Sequence, residues 1–163
     1  MSLDIHLLRF VLGEPADAAC EPALTILKAA CRDPDSAYFD DVNDVVLRDS
    51  SWIEMSAKGL LSCDRFDGVG FFIRAGGCSP AAVTLMFDVA HASDMVIINT
   101  GGENGNPTNP YIIITDERQR DNLLPDWVST AVLCESAQQL GELLGISFDK
   151  WHRWAYPDFT TST

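Results

Sequence analysis

Three groups of residues in this chain have types and spacing that invite a chemical reading. They are a glycine- and asparagine-rich run at 99–110, an aspartate-rich run at 33–49, and the scattered histidines and cysteines. The first reads "NTGGENGNPTNP" and leads into "YIIIT". A nucleotide-hydrolase phosphate loop needs G-x-x-x-x-G-K-[ST], because a lysine and successive backbone amides meet the phosphates. Between Gly101 and Pro110 there is neither lysine nor arginine. A dinucleotide fingerprint needs a helix directly after its glycines, since the helix N-terminus holds the pyrophosphate. Here Pro107 and Pro110 are followed by a strand pattern. The run is therefore read as a long, mobile hairpin tip, in which glycine and asparagine supply positive φ and proline limits edge pairing. It is longer than a hairpin requires. Glu103, Asn104 and Asn106 at its tip are candidate partner contacts.

The second group, "DPDSAYFDDVNDVVLRD", sets six aspartates against one arginine. Its D-x-D lacks the glycine and the position-twelve glutamate of an EF-hand calcium loop, so no metal is assigned. A solvated acidic loop is the plain reading. The sharper one is a docking surface, in which Asp40, Asp41 and Asp44 meet cations of a partner. Tyr38, Phe39 or the nearby Trp52 would supply its buried centre, as aromatic residues ringed by polar groups do at binding hot spots.

The histidines, His6, His91 and His152, show no H-E-x-x-H or H-x-H spacing, which leaves a zinc site unsupported. The five cysteines, Cys20, Cys31, Cys63, Cys78 and Cys134, form no C-x-x-C and read as free thiols, mostly buried. Cys78 or Cys134 could meet His91 as a nucleophile and base, but the local signatures of cysteine proteases are missing. No G-x-S-x-G elbow exists for a serine hydrolase. No catalytic residue and no cofactor is assigned.

The elements that must position these residues follow from periodicity. A strand is expected over 3–12, a helix over 16–32 with Pro22 in its first turn, and strands at 45–47, 52–57 and 69–74. Ser79-Pro80 marks the clearest helix start, for a helix over 80–92. Strands at 95–100, 111–115 and 129–135 follow, and then a final helix from Ser136 to Gly145. The pattern predicts an α+β fold: a mixed, mostly antiparallel sheet of about five or six strands with three flanking helices. An α/β fold is the alternative, with 69–74, 80–92 and 95–100 as a right-handed crossover unit. Residues 1–159 are expected to form a single globular domain, and 160–163 a frayed tail. Trp151 and Trp154 would share a helix face, sealing the core or offering an edge for a homo-oligomer.

Charge narrows the partner class. The chain has a formal net charge of −13 and a sequence pI near 4.3. Nucleic acid or an anionic membrane would be bound against that field, whereas a basic protein would be attracted. The opening "MSLDIHLLRFVL" carries Asp4 and Arg9 and does not read as a signal peptide, and no window suits a membrane helix. A cytoplasmic location is therefore expected.

In size, charge and fold class the chain resembles the small acidic immunity proteins of bacterial toxin systems. The resemblance implies a protein-binding inhibitor, not an enzyme, that occludes a cognate toxin through the acidic segment 33–49 and the acids near Glu103. Two other readings stand beside it. One is an enzyme or small-ligand binder with a pocket near 75–79 and 99–105, where the amides opening helix 80–92 would hold an anion. The other is a structural or adaptor subunit of a phage or secretion apparatus.

Overall fold

The computed structural model describes residues 3–74 and 78–146. Along the chain run β1 (Leu3–Val11), β2 (Glu14–Ala16), β3 (Ala18–Ala19) and α1 (Cys20–Ala30), then β4 (Asn43–Val46), β5 (Trp52–Ser56), β6 (Arg65–Phe66) and β7 (Val69–Ile73). After α2 (Pro80–Ala92) come β8 (Val96–Asn99), β9 (Ile112–Ile114), the one-turn α3 (Pro125–Val128), β10 (Val132–Leu133) and α4 (Ala137–Leu143). Short 3-10 helices occupy Pro34–Ser36 and Glu117–Asn122. The fold is α+β, as the sequence pattern predicts.

Local chemistry accounts for the main elements. In α2, Ser79 accepts a hydrogen bond from the Ala82 amide, and Pro80 supplies the preset φ of the first turn. In α1, Pro22 falls in the first turn, where the helix needs no amide from it, with Glu21 at the positive end and Lys28 at the negative end. β8 and β9 are buried at every residue, because both faces of the sheet are covered there. β1 turns into β2 through Leu12 and Gly13, both at positive φ (50° and 80°), the backbone of a tight hairpin turn.

The main sheet has eight strands, more than the five or six expected. Its order is β10-β9-β8-β1-β7-β5-β4, with β2 paired to the end of β1. All its pairings are antiparallel except β10 with β9. The unit at 69–99 is a split one: β7 and β8 are both antiparallel to β1, so they run parallel to each other with β1 between them and α2 as their connection. The strand expected at 129–135 shrinks to two residues, because Pro125 starts a helical turn whose Trp127 carbonyl takes the Ala131 amide. The tail 160–163 and the tryptophans at 151 and 154 lie outside the described residues.

On one face, α1, α2 and α4 pack over Ile5, Leu7, Ile53, Met55, Phe71 and Ile97. On the other, Leu123, Ala131 and Trp127 cover Phe10, Val96, Ile98, Ile112 and Ile114. That smaller cover stands on a capping box. Asp116 and Gln119 satisfy each other's backbone amides at the start of the Glu117–Asn122 helix. Arg118 hydrogen-bonds to Asp116 through its guanidinium and its amide, and these bonds hold the Asp116 carboxyl at about 2. The cap's electrostatic contribution is thus complete above the ordinary carboxylate range and is lost as pH falls through about 2. An NMR titration of the Arg118 amide should show its midpoint near 2; a midpoint near 3.8, the value of a free aspartate, would refute the pairing.

Candidate functional site

The cover made by residues 117–131 reaches only half of its face of the sheet. Over β4, β5, β7 and the first half of β1, that face carries side chains at the surface. The strand registers assemble them into rows. Asp4 lies beside Phe72, Phe72 beside Glu54, and Glu54 beside Asp44, a line across four strands. One step along, His6, Gly70 and Ser56 form a second row. A step to the other side, Val46 lies opposite Trp52.

The contents of this face are an aromatic and aliphatic centre with a charged surround. Trp52 and Val46 are exposed at 47% and 41%, high for adjacent large apolar residues. The Phe72 ring leans over Gly70, where an added Cβ would meet its Cζ at 3.2 Å and the Ser56 Oγ at 3.3 Å. His6 meets the same ring edge-on, with centroids 6.4 Å apart. Arg74 donates to both oxygens of Glu54, at 2.7 and 3.0 Å. This bond holds the Glu54 carboxyl below its ordinary range, and Asp44 adds to the field that favours the charged Arg74. Asp4, Asp44 and Glu54 outnumber that one cation, so the face as a whole is acidic.

Beside the face runs the outer edge of β4. A cavity of about 280 Å³ lies there, lined by Tyr38, Asp44, Val46 and Asn43 on one side of the Cys31–Asp33 segment. The Arg32 amide donates to the Val46 carbonyl, so the edge is partly closed by the chain itself.

The residues expected as contacts from sequence fall into three places. Tyr38, Asp44 and Trp52 belong together at the open face and its β4 edge, and Asp41 lies exposed on the loop just before β4. Phe39 is a correction: it is 1% exposed and packs in the helix-side core, because its carbonyl accepts the Ala57 amide and so draws the backbone into line with β5. Asp40 is committed inward, its carboxylate accepting the Gly59 amide at 3.2 Å. Glu103, Asn104 and Asn106 are elsewhere. Five strand steps separate β4 from β9, roughly 24 Å at the usual spacing, and the two loops leave opposite ends of the sheet.

The glycine-rich loop is internally bonded, in contrast to the free tip expected. Asn99, buried, donates to the Pro110 carbonyl and accepts from the Gly101 amide. Asn109 donates to the Gly101 carbonyl, Asn106 accepts from Thr108, and Asn104 accepts from Thr130. Asparagines read as contacts are thus used within the fold. The extra length is spent on this lattice of side-chain bonds.

The opening of α2 is not an anion site either. Ser79 fills its free amide, Ser79 and Ala82 are buried, and the Asp49 carboxylate stands one hydroxyl away through Ser51. Cys78 and His91 stand at opposite ends of α2, about 20 Å apart at the usual rise per residue. Burial pushes the Cys78 thiol up to about 12. Cys134 is buried and donates to the Ser136 carbonyl. Among the described residues, no group of three or more His, Cys, Asp or Glu is placed to hold a metal ion, and no helix is long and apolar enough to cross a membrane.

Sequence reasoning missed Phe72, Glu54, Arg74, Val46 and His6. The signal for part of this was present: "SWIEMS" alternates, so Glu54 shares an outward face with Trp52. The register of β5 on β7, which adds Phe72 and Arg74, has no local signature. No family model, no curated protein and no solved structure matches the chain.

Two contrasts test these placements. Phe39→Ala should cost about 3–5 kcal/mol by urea denaturation, while Tyr38→Ala should stay within about 0.5 kcal/mol; equal losses would mean Phe39 is not core. A Cβ at Gly102 would stand 2.1 Å from the Pro110 carbonyl oxygen, whereas Gly105 has open space and a φ of +90°. Gly102→Ala should therefore destabilise more than Gly105→Ala, for which strain alone predicts about 1–2 kcal/mol. The reverse order would refute the close approach.

Proposed function

We propose that this chain is a protein-binding inhibitor, an immunity protein that neutralises a toxin domain by covering its basic active-site surface with the open half of the sheet. The observation that carries the reading is the Trp52–Val46 pair, exposed side by side and bordered by Asp44, Glu54 and Asp4. A large aromatic with an aliphatic neighbour inside a polar surround is the composition of a binding hot spot. The acidic surround selects a basic partner. It also disfavours a second copy of the same face, since like charges would be brought together on a chain of net charge −13.

In this reading the partner's aliphatic or aromatic residue packs on Trp52 and Phe72, while its lysines or arginines meet Asp44 and Asp41. Glu54 is already paired to Arg74, so its role is to hold that guanidinium beside the apolar pair. Burying Trp52 against the partner excludes water from those charge contacts and strengthens them.

Co-expression with the product of the adjacent gene tests the inhibitor role. Growth should be protected and a complex should form; a lack of both would refute the inhibitor reading. Trp52→Ala should weaken the complex by about 30-fold, the cost of losing a 2 kcal/mol hot spot. Asp41→Lys with Asp44→Lys should slow association and flatten its salt dependence. A complex that forms but ignores both variants would place the interface elsewhere on the molecule.

A further inference from the structure

A pair of thiols away from the open face carries a separate inference. The β3–β6 pairing sets Ala19 beside Arg65, and the Cys20 amide continues it by donating to the Asp64 carbonyl at 2.9 Å. Residues 20 and 63–64 therefore run side by side at the start of α1. Gly59, at φ +87°, turns the chain between them. The Cys20 thiol points at the Gly59 carbonyl oxygen, 3.9 Å away. The Cys63 amide donates to that same oxygen at 2.9 Å, and a Cβ at Gly59 would stand 3.6 Å from the Cys63 Sγ. Both cysteines thus border one residue, Gly59, Cys20 through its thiol and Cys63 through its amide and sulfur. They share the wall of a cavity of about 520 Å³ with Leu24, Thr25 and Lys28.

The two thiols differ in access. Among the five cysteines Cys63 alone is exposed, while Cys20 is buried along with Cys31, Cys78 and Cys134. Burial, with the neighbouring Cys63 and Asp64 charges, raises the Cys20 thiol above its ordinary range, while Cys63 meets solvent. A disulfide needs Cα atoms within about 7 Å, and both cysteines stand on the Gly59 turn, Cys20 bonded to its carbonyl through the thiol and Cys63 through the amide.

We propose that Cys20 and Cys63 form an oxidisable dithiol site, which closes to an intramolecular disulfide when the chain meets a peroxide. The Cys63 thiolate attacks one oxygen of hydrogen peroxide. The O–O bond breaks, a sulfenic acid forms on Cys63, and the second oxygen leaves as hydroxide, taking up the thiol proton as water. The Cys20 sulfur then attacks the Cys63 sulfur. The S–S bond forms, the S–O bond breaks, and the hydroxide leaves with the Cys20 proton as a second water. Two thiols and one peroxide give one disulfide and two waters.

The test uses the whole reduced protein, treated with hydrogen peroxide, blocked with iodoacetamide and digested with trypsin without reductant. The peptides Phe10–Lys28 and Gly59–Arg65 should appear joined, two hydrogens lighter than their sum, and the titratable thiols should fall by two from the chain's five. Cys63→Ser should leave the remaining thiols untouched at the same dose, and Cys20→Ser should let Cys63 proceed to the sulfinic acid. Recovery of Cys20 as its alkylated form, with Cys63 over-oxidised or joined to a second molecule, would overturn the proposal, and this readout on the unaltered chain does not depend on either variant folding.

Discussion

The width of the sheet relative to what covers it governs the surface of this protein. Seven strands in one path span roughly 29 Å at the usual spacing. Three helices at about 10 Å each, α1, α2 and α4, are enough to roof one face. Among the described residues, the opposite face is covered by the short segment 117–131, which reaches β8, β9 and the far end of β1. The remaining strands must present something tolerable to water there. They do so with alternating positions that pair charge with charge, Glu54 with Arg74, and lean one aromatic ring over a glycine. What cannot be neutralised in this way is the Trp52–Val46 pair, and it is the part of the face with most to gain from a partner.

Sequence patterns reached the elements better than their partnerships. Ser79-Pro80 located α2 to the residue, and the buried runs "VIIN" and "III" stand where continuous apolar stretches put them. The alternation at 52–56 even separated Trp52, Glu54 and Ser56 from the core-facing Ile53 and Met55. Phe39 shows where such reading stops. It sits among aspartates, and local composition makes it a surface residue. A single long-range bond, from the Ala57 amide to its carbonyl, brings the segment against β5, and its ring lies in the core. The same limit applies to the glycine-rich loop. Asparagine and glycine are turn formers, and nothing in their spacing says that Asn99 and Asn109 will bond across the loop to carbonyls at its opposite ends.

Charge shaped the candidate site in a way that counting residues could not anticipate. Six aspartates in 33–49 suggested one continuous docking surface. In the fold they are divided by purpose. Asp40 anchors the Gly59 turn, Asp49 accepts from the Ser51 amide and hydroxyl ahead of α2, and of the expected contacts Asp44 stays exposed next to the Trp52–Val46 pair while Asp41 is exposed on the loop before β4. An exposed ion pair such as Glu54–Arg74 adds little to stability. Its structural effect is to tie two long side chains to each other beside the apolar pair.

The placement of β1 has a consequence for how the chain is made. It is the earliest strand in the chain, and yet its neighbours on either side are Val69–Ile73 and Val96–Asn99. A ribosome working at about 5–20 residues per second takes on the order of five to twenty seconds to go from β1 to β8. Until β7 is made β1 has only its hairpin with β2, and Ile5 and Leu7, both fully buried in the fold, lack their strand neighbours. The slot they fill does not exist until α2 has carried the chain from β7 round to β8. The fold thus closes around β1 in a late and long-range step, of the kind that slows assembly and leaves a waiting strand open to aggregation.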